Sequence, residues 1–113
     1  MCGLLDRVYA SRFLSEVAGL VMVDAAHEDY YSGDPTIWPL PKDGIDRGVD
    51  ERQSAAAARA APPLPDVPLI VLSRSQPDPR FFAPANQRWP EWQLDLSRRA
   101  PRGRIRLYNG WFG

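Results

Sequence analysis

The chain has 113 residues, of which 44% are hydrophobic, and its fourteen basic side chains balance its fourteen acidic ones. This length suits one domain with a hydrophobic core and leaves little room for two. Because the charges cancel, no overall field draws the chain to nucleic acid or to an anionic membrane, and we expect neither as a partner.

The number of cysteines and the lengths of the apolar runs indicate in which cellular compartment the protein lies. Cys2 is the single cysteine, which excludes a disulfide within the chain and a cluster of thiolate metal ligands. The amino terminus lacks the pattern of a signal peptide, and no apolar stretch approaches the roughly 20 residues that span a bilayer. These features favour a soluble cytoplasmic protein, and nothing in the sequence indicates a cofactor.

The first predicted element is an amphipathic helix over residues 2–13. Its apolar side chains have the spacing of one helix face, and they are Leu4, Leu5, Val8, Tyr9 and Phe13. Asp6, Arg7 and Arg12 fall elsewhere, and no Ser, Thr, Asp or Asn precedes the run to cap its first amides. The helix therefore either begins frayed or is started by residues further upstream.

Three strands are predicted, at residues 18–23, 67–72 and 104–108. The first two are nearly continuous apolar runs, as in parallel strands covered on both faces, and the third alternates as an edge strand does. Between the last two, "NQRWPEWQLDLSRR" has Trp89, Trp92 and Leu96 at helical spacing, with Pro90 in a first turn. This order of elements predicts an α/β fold with right-handed crossovers.

A long excursion, residues 32–66, separates the first two strands. It holds many of the twelve prolines and an alanine-rich piece, "DERQSAAAARAA", that favours a helix. Connections of this length are usually lids, binding loops or disordered segments. The alanine piece has little apolar bulk, so we expect it to pack weakly and to move.

The run "MCGLLDRVYASRFLSEVAGLVMVDAAHEDYY" resembles the segment of α/β-hydrolase fold proteins that begins directly after the nucleophilic serine. Downstream, "LPDVPLIVLSRS", "WPEWQLDLSRRAPRGRIRLY" and "NGWF" resemble the strand, helix and final strand that lead to the family's catalytic histidine. The resemblance implies a partial α/β-hydrolase fold, with three parallel strands, flanking helices and a long Pro/Ala-rich excursion. Residues 1–113 then form one partial domain: 1–31 the helix and strand after the nucleophile, 32–66 a lid-like excursion, and 67–113 the last two strands with their helix.

The resemblance places two catalytic positions at the ends of this chain. Met1 aligns with the residue after the nucleophile, whose backbone N–H contributes to the oxyanion hole. Cys2 falls where the family has a glycine. Trp111 stands where the family has its histidine, and an indole has no basic nitrogen to accept the serine proton.

The third member of the triad, an acid, has two candidates. Asp24 directly follows the last apolar residue of its strand, and groups at the carboxyl ends of parallel strands face the ligand site. Asp78 follows the next strand, which is where the family more commonly places its acid. We favour Asp24 because a strand end fixes a side chain better than a proline-flanked loop. The alternative for Asp24 is a carboxylate satisfied by the amides of its own turn.

Three further features have a functional and a structural interpretation. His27, Glu28 and Asp29 are metal-ligand types, but adjacent side chains diverge and no second histidine exists, so we predict no metal and a solvated turn that caps a helix. The tryptophans, with Phe81 and Phe82, are better explained by burial against the sheet than by a stacking platform. The basic cluster, residues 98–106, favours the end of a helix and otherwise meets water.

The sequence thus predicts a fragment or degenerate member of the α/β-hydrolase family. Its ancestral activity is serine-dependent hydrolysis of an ester or related acyl bond, on a small-molecule ester-like substrate if the missing half completed the site. The truncated chain alone should not catalyse it. The alternative is a noncatalytic binding module that pairs with another chain, or with itself, through an exposed sheet edge.

Overall fold

The computed structural model describes residues 2–32, 34–39, 45–46, 49–64 and 66–109. In chain order the elements are α1 (Cys2–Arg12), β1 (Leu20–Val23), β2 (Ile45–Asp46), β3 (Val49–Asp50), α2 (Glu51–Ala60), β4 (Leu69–Arg74), α3 (Ala83–Ser97) and β5 (Gly103–Tyr108). Short 3₁₀ turns lie at Leu14–Glu16 and Glu28–Tyr31. No helix within these described ranges has both the length and the apolar character needed to cross a bilayer.

The main sheet has three parallel strands in the order β1-β4-β5, which confirms the predicted α/β fold. In its register Leu69 of β4 lies between Leu20 of β1 and Gly103 of β5. As predicted, β5 is an edge strand. A second, two-stranded antiparallel sheet, β2-β3, lies in the excursion and was not predicted.

One face of the main sheet is covered by helices. Met22, Leu69 and Val71 point to this face and are buried. They pack in one cluster with Ala10 of α1 and Leu96 of α3. Apolar residues at alternate positions of each strand therefore form the core beneath the helices.

The opposite face of the sheet is open, and the prediction that β1 is covered on both faces is wrong. Val21 is 58% exposed, Val23 is 49% exposed and Ile70 is 40% exposed. The register places Val21 beside Ile70 and Ile70 beside Arg104. The apolar run of β1 resembles a fully covered strand, yet within the described ranges only one of its faces is packed.

The helices form a second core at one end of the sheet. Leu4 of α1, Ala55 and Ala58 of α2, and Trp89 and Trp92 of α3 are buried together. The alanine-rich helix was expected to pack weakly, and that expectation is wrong because its small side chains allow α2 to lie close against α1. Its start is fixed by Asp50, whose carboxylate accepts a hydrogen bond from the amide of Gln53 at 2.9 Å.

The faces of α1 and the start of α3 differ from the sequence prediction. Leu4 is buried and Val8 packs against the same core, as predicted. However, Arg7 is buried and Tyr9 and Phe13 are half exposed, so the inward face of α1 includes Arg7 and leaves out the last two predicted positions. Trp89, Trp92 and Leu96 are buried as predicted. However, α3 begins at Ala83 with a proline in its first turn, and Pro90 lies inside the helix.

Candidate functional site

The carboxyl edge of the main sheet begins at Asp24, the residue directly after β1. Its backbone has φ of 48°, in the left-handed region that aspartate tolerates better than most non-glycine residues. Its amide donates to the carbonyl of Leu72 at 2.7 Å, which continues the ladder between β1 and β4 by one residue. The strand end and this bond fix where the carboxylate lies.

The carboxylate of Asp24 is held by side chains from two other elements. Its Oδ2 accepts a hydrogen bond from Arg74 Nη1 at 2.7 Å, and its Oδ1 accepts one from Trp89 Nε1 at 2.7 Å. Both of these partners are buried. The carboxylate is therefore satisfied by β4 and α3, and not by the amides of its own turn.

Arg74 connects Asp24 to the second candidate acid. Its guanidinium lies 4.0 Å from the centre of the Trp89 ring, and its Nη2 donates to Asn86 Oδ1 at 3.1 Å. Asn86 in turn accepts from the Asp78 amide at 3.0 Å and donates its Nδ2 to the Asp78 carbonyl at 2.9 Å. The fold thus brings both candidate acids, 54 residues apart in sequence (78 − 24), into one hydrogen-bond network.

Asp78 is fully buried and is held by Arg80. Its Oδ1 accepts from the Arg80 amide at 2.9 Å and from Arg80 Nε at 3.0 Å. The hydrogen bond from the Arg80 side chain holds the pKa of Asp78 below its ordinary value, although burial opposes this. Both candidates are therefore carboxylates paired with an arginine, and the choice of a triad acid between them stays a prediction.

The other predicted catalytic positions lie outside the described residues. These are Met1, the expected oxyanion donor, and Trp111, the residue at the expected histidine position. The carboxyl edge described here consequently consists of the acid candidates and their partners.

A second polar cluster surrounds His27, the only histidine of the chain. His27 caps the 3₁₀ turn Glu28–Tyr31, because its Nδ1 accepts a hydrogen bond from the amide of Asp29 at 3.0 Å. Its Nε2 lies 2.7 Å from Asp95 Oδ2 and 3.3 Å from Arg99 Nη2. The prediction of a solvated turn is wrong because His27 and Glu28 are buried, whereas the predicted cap is confirmed.

Glu28 lies between two arginines from opposite ends of the chain. It accepts hydrogen bonds from Arg7 Nη2 at 2.7 Å and from Arg99 Nη2 at 2.6 Å. Burial alone would raise the pKa of Glu28, but the bonds from Arg99 and Arg7 outweigh it and lower the pKa to about 2. Glu28 is therefore an anion at neutral pH.

Ligand-type atoms of His27, Glu28 and Asp95 lie within 4.8 Å of one another. Each of these side chains is already engaged, since Arg99 Nη2 also donates to Asp95 Oδ2 at 2.6 Å. A cation would have to displace two guanidinium groups, so the donor set suits a closed charge network better than a metal ion. The ion pair between Asp95 and Arg99 was not predicted, although a spacing of four residues at the end of a predicted helix is a signal for it.

The basic cluster divides between two environments. Arg99 and Arg102 pair with carboxylates, the latter with Asp66 at 2.7 Å. Arg104 and Arg106 are exposed on the open face of the sheet. Arg98, Arg102, Arg104 and Arg106 are exposed, as expected from the sequence, whereas Arg99 is partly buried.

Comparisons with protein-family models, with curated proteins and with solved structures found no match to this chain. The α/β-hydrolase resemblance therefore depends on the sequence motifs, and the described geometry supports an α/β fold with three parallel strands.

Proposed function

We propose that this chain is a noncatalytic module derived from the carboxyl-terminal part of an α/β-hydrolase domain, and that it binds a partner polypeptide on the open face of its sheet. The observation that carries this proposal is the exposure of Val21, Val23 and Ile70 on adjacent strands. Parallel sheets are normally covered on both faces. Apolar side chains left on the second face favour a partner that removes them from water.

The charge of the open face of the sheet indicates which kind of partner would bind there. Beside the apolar residues, Arg104 and Arg106 project on the same face, and a recess of about 300 Å³ is lined by three arginines and by Pro68, Leu69 and Ile70. A second copy of the chain would bring arginines toward arginines. An amphipathic helix with an apolar face and flanking carboxylates complements this surface better.

The free edge of β1 adds a second means of contact. The amides of Leu20 and Asp24 donate to carbonyls around β4, so the backbone groups of Val21 and Val23 face away from the sheet. Within the described ranges these groups have no strand beside them. Such an edge accepts another strand readily.

The single histidine supports the noncatalytic part of the proposal. His27 is buried, and both of its ring nitrogens are already engaged, one by Asp95 and one by the Asp29 amide. A general base must reach the hydroxyl whose proton it accepts. His27 is therefore unsuited to activate a serine, and Trp111 has no basic nitrogen with which to replace it.

Two synthetic helical peptides with one apolar face test the partner chemistry, one flanked by glutamates and the other by lysines. We expect the glutamate peptide to bind saturably and at least about tenfold more tightly at low salt, with affinity that falls as salt rises. Val21→Asp should weaken binding, and the double change Arg104→Glu with Arg106→Glu should remove the preference for glutamate. Equal binding of the two peptides, or no binding of either, would overturn the partner assignment.

Leu107→Asp is the matched control, since Leu107 is 69% exposed on a strand but points to the opposite face of the sheet. It should leave peptide affinity unchanged within about twofold. Amide exchange tests the edge separately: Val21 and Val23 should exchange faster than Leu20 and Asp24. Equal protection of all four amides would show that the edge is covered.

A further inference from the structure

We propose that a pocket between α1 and α2 binds a small monocarboxylate with a short apolar tail. The pocket is lined by Arg7, Ala58, Ala61, Pro62, Pro63, Leu64 and Arg99 and has a volume of about 80 Å³. None of these residues belongs to the open face of the sheet, so the proposal is independent of the partner-binding function.

The guanidinium of Arg7 is the feature that points to an anion. Arg7 is buried, and in the described part of the chain its single hydrogen bond goes from Nη2 to Glu28. Its Nε and Nη1 are also buried and have no hydrogen-bond partner among the described residues. Burial of unpartnered N–H donors on a cation is costly. Because Arg7 lines the pocket, a small rotation of its guanidinium toward a bound acceptor would relieve that cost.

A second guanidinium lines the same pocket. Arg99 uses Nη2 for Glu28 and Asp95, while no hydrogen bond from its Nε or Nη1 is found in the described ranges. The position of this side chain is fixed by those two ion pairs and by the backbone bond from the Leu64 amide to the Arg99 carbonyl at 2.8 Å. Two arginines that line one pocket and share a carboxylate partner are a common arrangement for carboxylate recognition.

The rest of the pocket selects the class of anion. Five of its seven lining residues are alanine, proline or leucine, which offer no side-chain hydrogen bonds to the several oxygens of a phosphate. The arginines Arg7 and Arg99 are already balanced by Glu28 and Asp95, so a dianion would leave a larger excess of negative charge than a monoanion does. A ligand whose carboxylate meets the two arginines and whose short hydrocarbon chain packs on Ala61 and Leu64 matches the charged and the apolar sides of the pocket.

The test is a titration followed by NMR, at constant ionic strength, with butyrate, its neutral isostere butyramide, and phosphate as probes. Butyrate should bind saturably and shift the amide signals of Ala58, Ala61 and Leu64, which line the pocket. Butyramide and phosphate should each bind at least about tenfold more weakly. No saturable binding of butyrate, or equal binding of butyrate and butyramide, would overturn the proposal and leave water as the occupant that satisfies Arg7.

Variants locate the binding to this pocket. Ala61→Leu fills the pocket without changing a charge and should weaken butyrate binding at least about tenfold. Ala56→Leu makes the same change on the exposed side of α2 and should alter binding less than about twofold. Arg7→Gln should also abolish binding, but its ion pair with Glu28 contributes to folding, so Ala61→Leu remains decisive if that variant unfolds. Butyrate binding that is insensitive to Ala61→Leu would contradict the assignment.

Discussion

Replacement of Glu28 by glutamine tests the charge network that joins α1, the 3₁₀ turn Glu28–Tyr31 and the end of α3. The amide retains the shape of the side chain but leaves Arg7 and Arg99 without their shared anion. Removal of one partner from a buried ion pair usually costs about 3–5 kcal/mol, because the remaining charge is left uncompensated. We expect Glu28→Gln to lower the free energy of unfolding by about 3 kcal/mol at pH 7.

The pH dependence of this effect follows from the pKa of Glu28. Folding lowers this pKa from 4.5 to about 2, so the folded state binds the proton more weakly than the unfolded state does. The stabilisation is therefore complete above about pH 4.5 and is lost as the pH falls through 2. Between pH 7 and pH 3.5 the wild-type chain should lose about 1.4 kcal/mol through this group, and Glu28→Gln should not.

Urea unfolding followed by tryptophan fluorescence, at several pH values between 7 and 3.5, measures both quantities. Glu91→Gln is the matched control, because Glu91 is exposed on α3 and should change stability by less than about 0.5 kcal/mol. A Glu28→Gln effect as small as that of Glu91→Gln at pH 7 would refute the reasoning. So would a difference between wild type and Glu28→Gln that stays constant as the pH falls.

Three further predictions concern packing and reactivity. Trp89→Phe should lower the free energy of unfolding in urea by about 2 kcal/mol more than Trp92→Phe does. The reason is that Trp89 Nε1 donates to Asp24, whereas Trp92 Nε1 is buried without a partner among the described residues. Equal losses for the two variants would contradict this. Gly103→Ala should destabilise the chain by about 3 kcal/mol, because the added Cβ would overlap the Ser97 carbonyl oxygen. At Gly19 an added Cβ would lie 3.1 Å from the Pro68 carbonyl oxygen, so Gly19→Ala should cost less than about 1 kcal/mol. A fluorophosphonate probe should leave every serine unlabelled, and a small activated ester should not turn over above the buffer rate; stoichiometric labelling of one serine would remove the noncatalytic assignment.

The sheet was predictable from the sequence because two of its strands are short apolar runs and the third alternates between apolar and polar residues. β4 and β5 were placed within two residues of their observed ends, and the covered side of α3 followed from the spacing of Trp89, Trp92 and Leu96. The open face was not predictable in this way. A continuous apolar run such as β1 has the same composition whether one or both of its faces are covered, so only the arrangement of neighbouring elements decides it.

The polar networks could not be predicted because they depend on contacts between residues far apart in sequence. Asp24 was identified from its place at a strand end, but its partners Arg74 and Trp89 lie 50 and 65 positions away. Arg7 was placed off the packed face of α1 because the spacing of the apolar residues leaves it outside that face. It is buried because Glu28, 21 positions later, supplies the compensating anion.

The order β1-β4-β5 has a consequence for how the chain folds during synthesis. β1 pairs with β4 through Leu20 and Leu69, which are 49 positions apart (69 − 20), and no nearer strand adjoins β1 in the described ranges. At translation rates of about 5–20 residues per second, β1 waits roughly 2–10 s for its neighbour to be made. Throughout that interval the apolar segment Leu20–Val23 has no strand partner among the described residues already synthesised, so the wait for β4 is the step most exposed to misassembly on the ribosome.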